Sequence, residues 1–371
     1  MTEQPIAAVA TTITAFVGSA PSGPIGRACV VTSMSHFSRL FGGLWPPAHL
    51  GYSVRDYYRH GGRVALIVRT DPEVGAVRAQ LDGIAVLASR RETGPLDDPP
   101  GLLVVPPWGL DAQGAAEPSL EVLREIVTTA ERLGAFAVLD APGAWAAHGS
   151  PDGAADVLES LRSAQAAMYF PRLLETDPLT GEPVTVSPSG AVAGIIARTD
   201  ALYGPWSVPA GTATSALDVK GLTVDLDEAR TEGLAQLGIN VIRSFPGTGP
   251  IVWGARVLGS DPDWSYVPTS RTAMFLRHSI EAGLRWTVVE PNGEPLWERV
   301  RLRVEEFLGS LLGAGAFPGT RPEEAYTVRC DRSTMTESDL ARGILRMVVG
   351  FAPVRPAEFR YLDISLAVGQ A

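Results

Sequence analysis

The residues in this chain that could do chemistry are few and scattered. The five histidines are His36, His49, His60, His148 and His278. None stands in a His-x-x-x-His or Glu-x-x-His spacing, which would put two metal ligands on one helical face. Asp225/Asp227 and Asp261/Asp263 are close carboxylate pairs, the raw material of general acid–base catalysis. The simpler reading is that Asp227 caps the helix after it and that Asp261-Pro262-Asp263 is a turn. Asp140, in Asp140-Ala141-Pro142-Gly143, follows an apolar run, and α/β enzymes often keep acids after a strand. Gly51-Tyr52-Ser53-Val54-Arg55 fails the nucleophile elbow at its last position. Gly249 and Gly254 have the separation of a phosphate loop, but Ala255 stands where the lysine belongs. In Gly247-Thr248-Gly249 the third glycine of a dinucleotide loop is replaced by Val252. No catalytic, cofactor or metal site is expected, and no cofactor.

The elements that would position such residues alternate between strand and helix. Ala28–Thr32, Val64–Val68, Leu102–Val105, Phe136–Leu139 and Ala167–Phe170 are short apolar runs of strand type. Between them lie helical patterns over Tyr52–His60, Ser119–Leu133 and Ala154–Gln165, with a further one over Ser189–Ala201. Residues 71–100 read as a polar surface loop around Arg90-Arg91 and Asp97-Asp98. Ile239–Arg243, Ile251–Leu258 and Arg285–Val289 read as three more strands, and 268–283 and 295–312 as helices. Thr336-Glu337-Ser338-Asp339 has the form of a capping box. Both ends look extended. Ile13, Ala15 and Val17 share one face against Phe16. Phe359 and Tyr361 share a face, as do Ile364, Leu366 and Val368, with a bulge near Leu362. Neither end has a strand partner close by in sequence. The fold class expected is α/β (mixed α+β): a two-domain subunit with mixed sheets flanked by helices and extended terminal arms.

Hydrophobic residues make up 45% of the chain, enough to build a core and too many for wholesale disorder. A formal charge of −10 disfavours nucleic-acid binding, which needs a basic surface. Lys220 is the single lysine, so the positive charge is arginine and its contacts can be planar and bidentate. Cys29 and Cys330 lie far apart and read as reduced core residues. No signal peptide and no membrane span is expected. Trp253, Trp264, Trp286 and Trp297 concentrate in one stretch and suit core packing and subunit contacts.

That stretch carries a resemblance. Gly238 through Trp253-Gly254-Ala255-Arg256, then Asp261-Pro262-Asp263-Trp264-Ser265-Tyr266-Val267 and Glu290-Pro291-Asn292-Gly293-Glu294-Pro295-Leu296-Trp297, resembles the sheath proteins of contractile phage tails and tail-like injection particles. Thr14-Ala15-Phe16-Val17-Gly18, Phe41-Gly42-Gly43, Tyr52-Ser53-Val54-Arg55-Asp56-Tyr57-Tyr58 and Pro356-Ala357-Glu358-Phe359 continue it toward both ends. The resemblance implies a subunit, not an enzyme, that polymerises into stacked rings around an inner tube and contracts to drive that tube into a membrane. The implied partners are further copies of the chain, the inner tube protein, and baseplate and tail-terminator proteins, with no nucleic acid and no membrane insertion. Assembly in the bacterial cytoplasm is implied, within a virion tail or tail-like particle that can be released. The implied organisation is a terminal arm over 1–20, an outer α/β domain over 21–236, an inner core over 237–352 and a closing arm over 353–371. Ile13, Ala15, Phe16, Val17, Phe359, Tyr361, Ile364 and Leu366 would be the arm residues that exchange between subunits. Arg299 and Arg303, on one face of the helix whose other face is apolar, would meet the tube. The alternative is an α/β enzyme, a hydrolase or nucleotide-binding protein, resting on the strand–helix alternation alone.

Overall fold

The computed structural model describes residues 5–89, 99–108, 119–142, 145, 154–216, 218–245, 247–355 and 357–369. The chain divides into two compact units, Ala10–Ser270 and Met1–Val9 with Arg271–Ala371. His148, Gly143, Pro356 and the Arg90-Arg91 and Asp97-Asp98 pairs, all singled out from the sequence, lie outside the described residues.

The larger unit is built on an eight-stranded sheet. Its strands are β1 (Thr14–Gly18), β2 (Ala28–Val31), β3 (Ala65–Arg69), β4 (Leu102–Val104), β5 (Phe136–Asp140), β6 (Ala166–Phe170), β10 (Ile239–Phe245) and β11 (Gly249–Val252). Their order is β11-β10-β6-β5-β4-β1-β3-β2. The six inner strands run parallel, and β2 and β11 close the edges antiparallel. Runs such as Ala65-Leu66-Ile67-Val68 are apolar at every position because helices cover both faces. Those helices include Leu50–Arg59, Ala76–Ala88, Leu120–Leu133 and Ser189–Tyr203. A three-stranded sheet of β7 (Leu173–Thr176), β8 (Pro183–Val186) and β9 (Gly221–Leu222) is appended.

Helices Leu50–Arg59 and Ser189–Tyr203 pack backbone to backbone. A Cβ on Gly194 would sit 2.5 Å from the Tyr57 carbonyl oxygen, and one on Gly190 would sit 2.3 Å from that of Ser53. The run of Gly and Ala in the second helix is what permits this approach.

The smaller unit carries the helix Glu294–Gly313 and an antiparallel sheet of β12 (Tyr326–Arg329), β13 (Ile344–Phe351) and β14 (Arg360–Ala367), with β13 central. Trp297, Val300, Val304, Phe307, Leu308 and Leu311 form the buried stripe of the helix, as its periodicity predicts. The capping box at Thr336 and Asp339 forms, with both reciprocal bonds at 3.1 Å.

Several expectations are corrected. The segment Ile13–Val17 is no free arm: β1 pairs with β3 on one edge and β4 on the other, and its residues are buried. Its partners were invisible locally because parallel pairing needs a long crossover. Tyr57 fixes the approach to this strand, its hydroxyl 2.9 Å from the carbonyls of both Thr12 and Val64. The closing strand does have a near partner. β14 pairs with β13 over eight residues without a bulge, so Leu362 and Ile364 point inward while Tyr361 points out. Arg285–Val289 is a 3-10 turn, and Ala76–Ala88 is a helix within the expected loop. β10 and β11, expected in the inner domain, complete the large sheet.

Candidate functional site

The order of the parallel strands, β3-β1-β4-β5-β6-β10, is doubly wound, and in such sheets ligands bind beyond the carboxyl ends where the order reverses. Here the reversal lies between β1 and β4. Ser19 and Ala20, which follow β1, and Val105, which follows β4, are buried. The Gln80 side chain donates to the Pro106 carbonyl at 2.9 Å. The chain fills this position with its own side chains.

Asp140, the acid after β5, is treated the same way. Its carboxylate accepts from the Ser189 amide at 2.9 Å and the Ser189 hydroxyl at 2.6 Å. It thus occupies the N-terminus of helix Ser189–Tyr203, where an anionic ligand would sit. Burial pushes its pKa up to about 6, against the opposing pull of the Ser189 bonds and Arg172. Asp227 accepts from the Arg230 amide and caps its helix as expected, and Asp261 accepts from the Asp263 amide in the expected turn.

Beside Asp140 runs a buried polar seam that the sequence analysis did not pick out. The Arg55 guanidinium joins Asp56 at 2.8 Å and also bonds Glu175 on β7. Arg59 approaches Glu175 at 3.4 Å and Asp56 at 3.6 Å. Burial, then the Asp56 charge, raises the Glu175 pKa, and Arg55 opposes this. Burial holds His49 neutral, with its pKa lowered to about 3, and Arg172 adds to that effect. The available signal was the spacing His49, Ser53, Asp56, which puts three polar groups on one face of a helix otherwise buried in apolar surroundings. The seam binds helix to sheet through charges paired inside the chain, while Arg55, Asp56 and Glu175 each keep one buried polar atom without a hydrogen bond.

The smaller unit holds the other candidates. The Val368 amide donates to the Gly343 carbonyl at 2.8 Å, which sets the phase of the β13–β14 ladder. Tyr361, Asp363, Ser365 and Ala367 therefore turn their backbone groups away from β13. The Asp363 carbonyl accepts from Arg277 at 2.9 Å. Among the described residues β14 ends the sheet, so this row forms an edge, with exposed side chains. A groove of about 420 Å³ opens beside it, lined by Leu284, Val288, Leu366 and Ala367 among others. Of the expected arm residues, Ile364 is buried, Leu366 and Phe359 are half-buried and Tyr361 is exposed. Arg299 lies over the Trp286 ring at 5.1 Å and pairs with Glu290 at 2.6 Å. Arg303 pairs with Glu306 at 3.0 Å, and Arg301 with Glu305 at 2.7 Å as the spacing predicts. The structure keeps Arg299 and Arg303 on one partly exposed helix face with glutamates close by.

No model of a known protein family matches the chain. A protein of Pseudomonas aeruginosa (strain UCBPP-PA14) named as a prophage major tail sheath protein is 29% identical over 267 residues, 70% of this chain. The chain spans 63% of that relative's length. The helical sheath of the anti-feeding prophage in its contracted state superposes with a TM-score of 0.74 at 28% identity, covering 97% of this chain and 94% of that one. The contracted sheath complex of the extracellular contractile injection system PVC gives 0.73 at 28% identity, covering 96% and 92%. By sequence over most of its length and by fold over nearly all of it, the chain is similar to sheath proteins of the contractile tail and injection-system type.

Proposed function

We propose that this chain is the structural sheath subunit of a contractile injection apparatus. It polymerises into a helical tube of stacked rings around an inner tube and contracts to drive that tube into a target membrane. The observation that carries this is the likeness to a contracted sheath over 97% of the chain, which leaves little of the chain for another role. The doubly wound sheet does not favour the enzyme alternative, because its switch point and its strand-end acid are occupied by the chain's own side chains. On this reading no nucleotide is consumed, and the work is stored in the extended assembly. Partners are further copies of the chain, the inner tube, the baseplate and a terminator; assembly is in the bacterial cytoplasm.

Within that reading we propose three roles. The outer edge of β14 receives a strand from a neighbouring subunit, because its outward row of backbone groups, in which Arg277 holds the Asp363 carbonyl, is a template for strand addition. Ile13–Val17 has no such edge and belongs to the subunit's own core. Arg299 and Arg303 face the inner tube. Purified protein viewed by negative-stain electron microscopy tests the function: long striated tubes support it, and discrete small particles that never polymerise would sink it.

A further inference from the structure

The loop Trp253–Arg256 and the turn Asp261–Val267 carry part of the sheath resemblance, yet neither has a role in the assembly proposed for the chain. Trp253 and Tyr266 are 45% and 46% exposed, a large aromatic area left in solvent. Phe245 lies 5.0 Å from the Trp253 ring, Arg243 lies over Phe245 and Arg256 lies over Tyr266, each at 5.3 Å. The backbone beneath these side chains is fixed. Asn240, fully buried, accepts from the Arg256 amide and donates to the Arg256 carbonyl, both at 2.7 Å. The Trp253 amide donates to the Val241 carbonyl at 2.8 Å, and Val267 donates to Ala255 at 2.9 Å. Gly254 sits so close that a Cβ there would be 2.7 Å from the Asn240 side-chain oxygen. Arg256 also lines, with Leu237, Leu258 and Ser265, a cleft of about 450 Å³.

We infer that Trp253, Arg256 and Tyr266 form a docking surface for an acidic segment of a second copy of this chain. Trp, Tyr and Arg are the residues that dominate binding energy at protein interfaces, and a rigid display lowers the ordering cost of binding. Arg243 and Arg256 suit a partner rich in carboxylates. A second copy supplies that complement locally, in acidic runs with exposed carboxylates such as Asp225-Leu226-Asp227-Glu228, whereas a net charge of −10 disfavours nucleic acid. The inference rests on the sheath reading, in which every subunit meets other copies.

The test compares full-length wild type with Trp253→Ala, Tyr266→Ala, Arg256→Glu and Arg256→Lys by sedimentation velocity, with thermal melting alongside. A photo-crosslinking residue is placed at 266 in a separate wild-type background. Because Asn240 grips only the backbone of Arg256, Arg256→Glu keeps the wild-type melting curve. The expected result is a rise of about tenfold or more in the concentration needed to polymerise, greatest for Arg256→Glu and smaller for Arg256→Lys. The crosslink joins 266 to an acidic peptide of another copy. If Trp253→Ala melts lower, Tyr266→Ala and Arg256→Glu carry the comparison. Wild type and variants polymerising at one concentration, or a crosslink within one chain or to a different protein, overturns the inference and leaves the sheath reading standing. A wild type that stays monomeric overturns both.

Discussion

Replacing Ser365 by proline tests the proposed exchange edge without touching the core. The Ser365 side chain is exposed and its backbone amide points away from β13, so the proline ring removes no bond of the subunit's own ladder. Edge positions of this kind tolerate proline, and the preceding Ile364 already has the extended backbone that proline demands. The effect falls on the added strand. Four residues of β14 face outward, and a strand laid along them makes about four backbone bonds worth roughly 0.5–1.5 kcal/mol each, or about 2–6 kcal/mol per contact. Proline deletes one donor and holds the incoming strand off at its neighbour, a loss of about 1–3 kcal/mol. That weakens each contact by roughly 5- to 150-fold, and the loss is compounded along a polymer. The assay is sedimentation velocity with electron microscopy, with Ser365→Ala as the control that keeps the amide. The expected outcome is an Ala variant that forms tubes and a Pro variant with unchanged circular dichroism that does not. Tubes from the Pro variant at wild-type concentration would refute the edge argument.

Three further outcomes follow from the same physics. Asp140→Asn keeps the bond from the Ser189 amide at its oxygen, replaces the hydroxyl bond with one donated by its NH2 group to the Ser189 Oγ, and removes a buried charge. An acid raised from 3.8 to about 6 stabilises the fold most below its unfolded value, and that contribution is lost as pH rises to about 6. The Asn variant should therefore match wild type near pH 3.5 and exceed it at pH 8 by up to about 3 kcal/mol in urea unfolding; a less stable variant at pH 8 would show that the carboxylate is favoured. Gly194→Val forces a side chain against the Tyr57 carbonyl and should cost about 1–3 kcal/mol or more, seen as a lowered melting temperature, whereas a full-stability variant would mean that the two helices separate freely. Changing Arg299 and Arg303 together to Glu should shift stability by less than about 1 kcal/mol, because both pairs are partly exposed. It should abolish co-purification of the inner tube, and retained tube at ordinary salt would remove these residues from the interface.

The sequence made some of this fold legible and hid the rest for definite reasons. Continuous apolar runs such as Val64–Val68 announced strands buried on both faces, and the stripe from Trp297 to Leu311 announced the long helix. Asp227 and Thr336 were readable as caps because their chemistry is local. Strand pairing was not readable. β1 lies between β3 and β4, whose sequences begin far downstream, and nothing in Thr14–Gly18 encodes that distance. Arg285-Trp286-Thr287-Val288-Val289 has β-type composition, yet it forms a 3-10 turn with Thr287 bonded back to the Leu284 carbonyl at 2.9 Å. Of the proposed site, the face carrying Arg299 and Arg303 followed from helical spacing. The outward phase of β14 did not, since one residue of register reverses it. The Arg55–Glu175 seam joins residues from two separate stretches and had only its helical half in view.

The most direct test of the central claim is cryo-electron microscopy of tubes assembled from the full chain with its inner tube, before and after a contraction trigger. The expected result is a helical lattice of this subunit that shortens and widens on triggering, with a strand from another subunit against the outer edge of β14. Rigid tubes of fixed length, or a lattice in which that edge stays bare in both states, would contradict it.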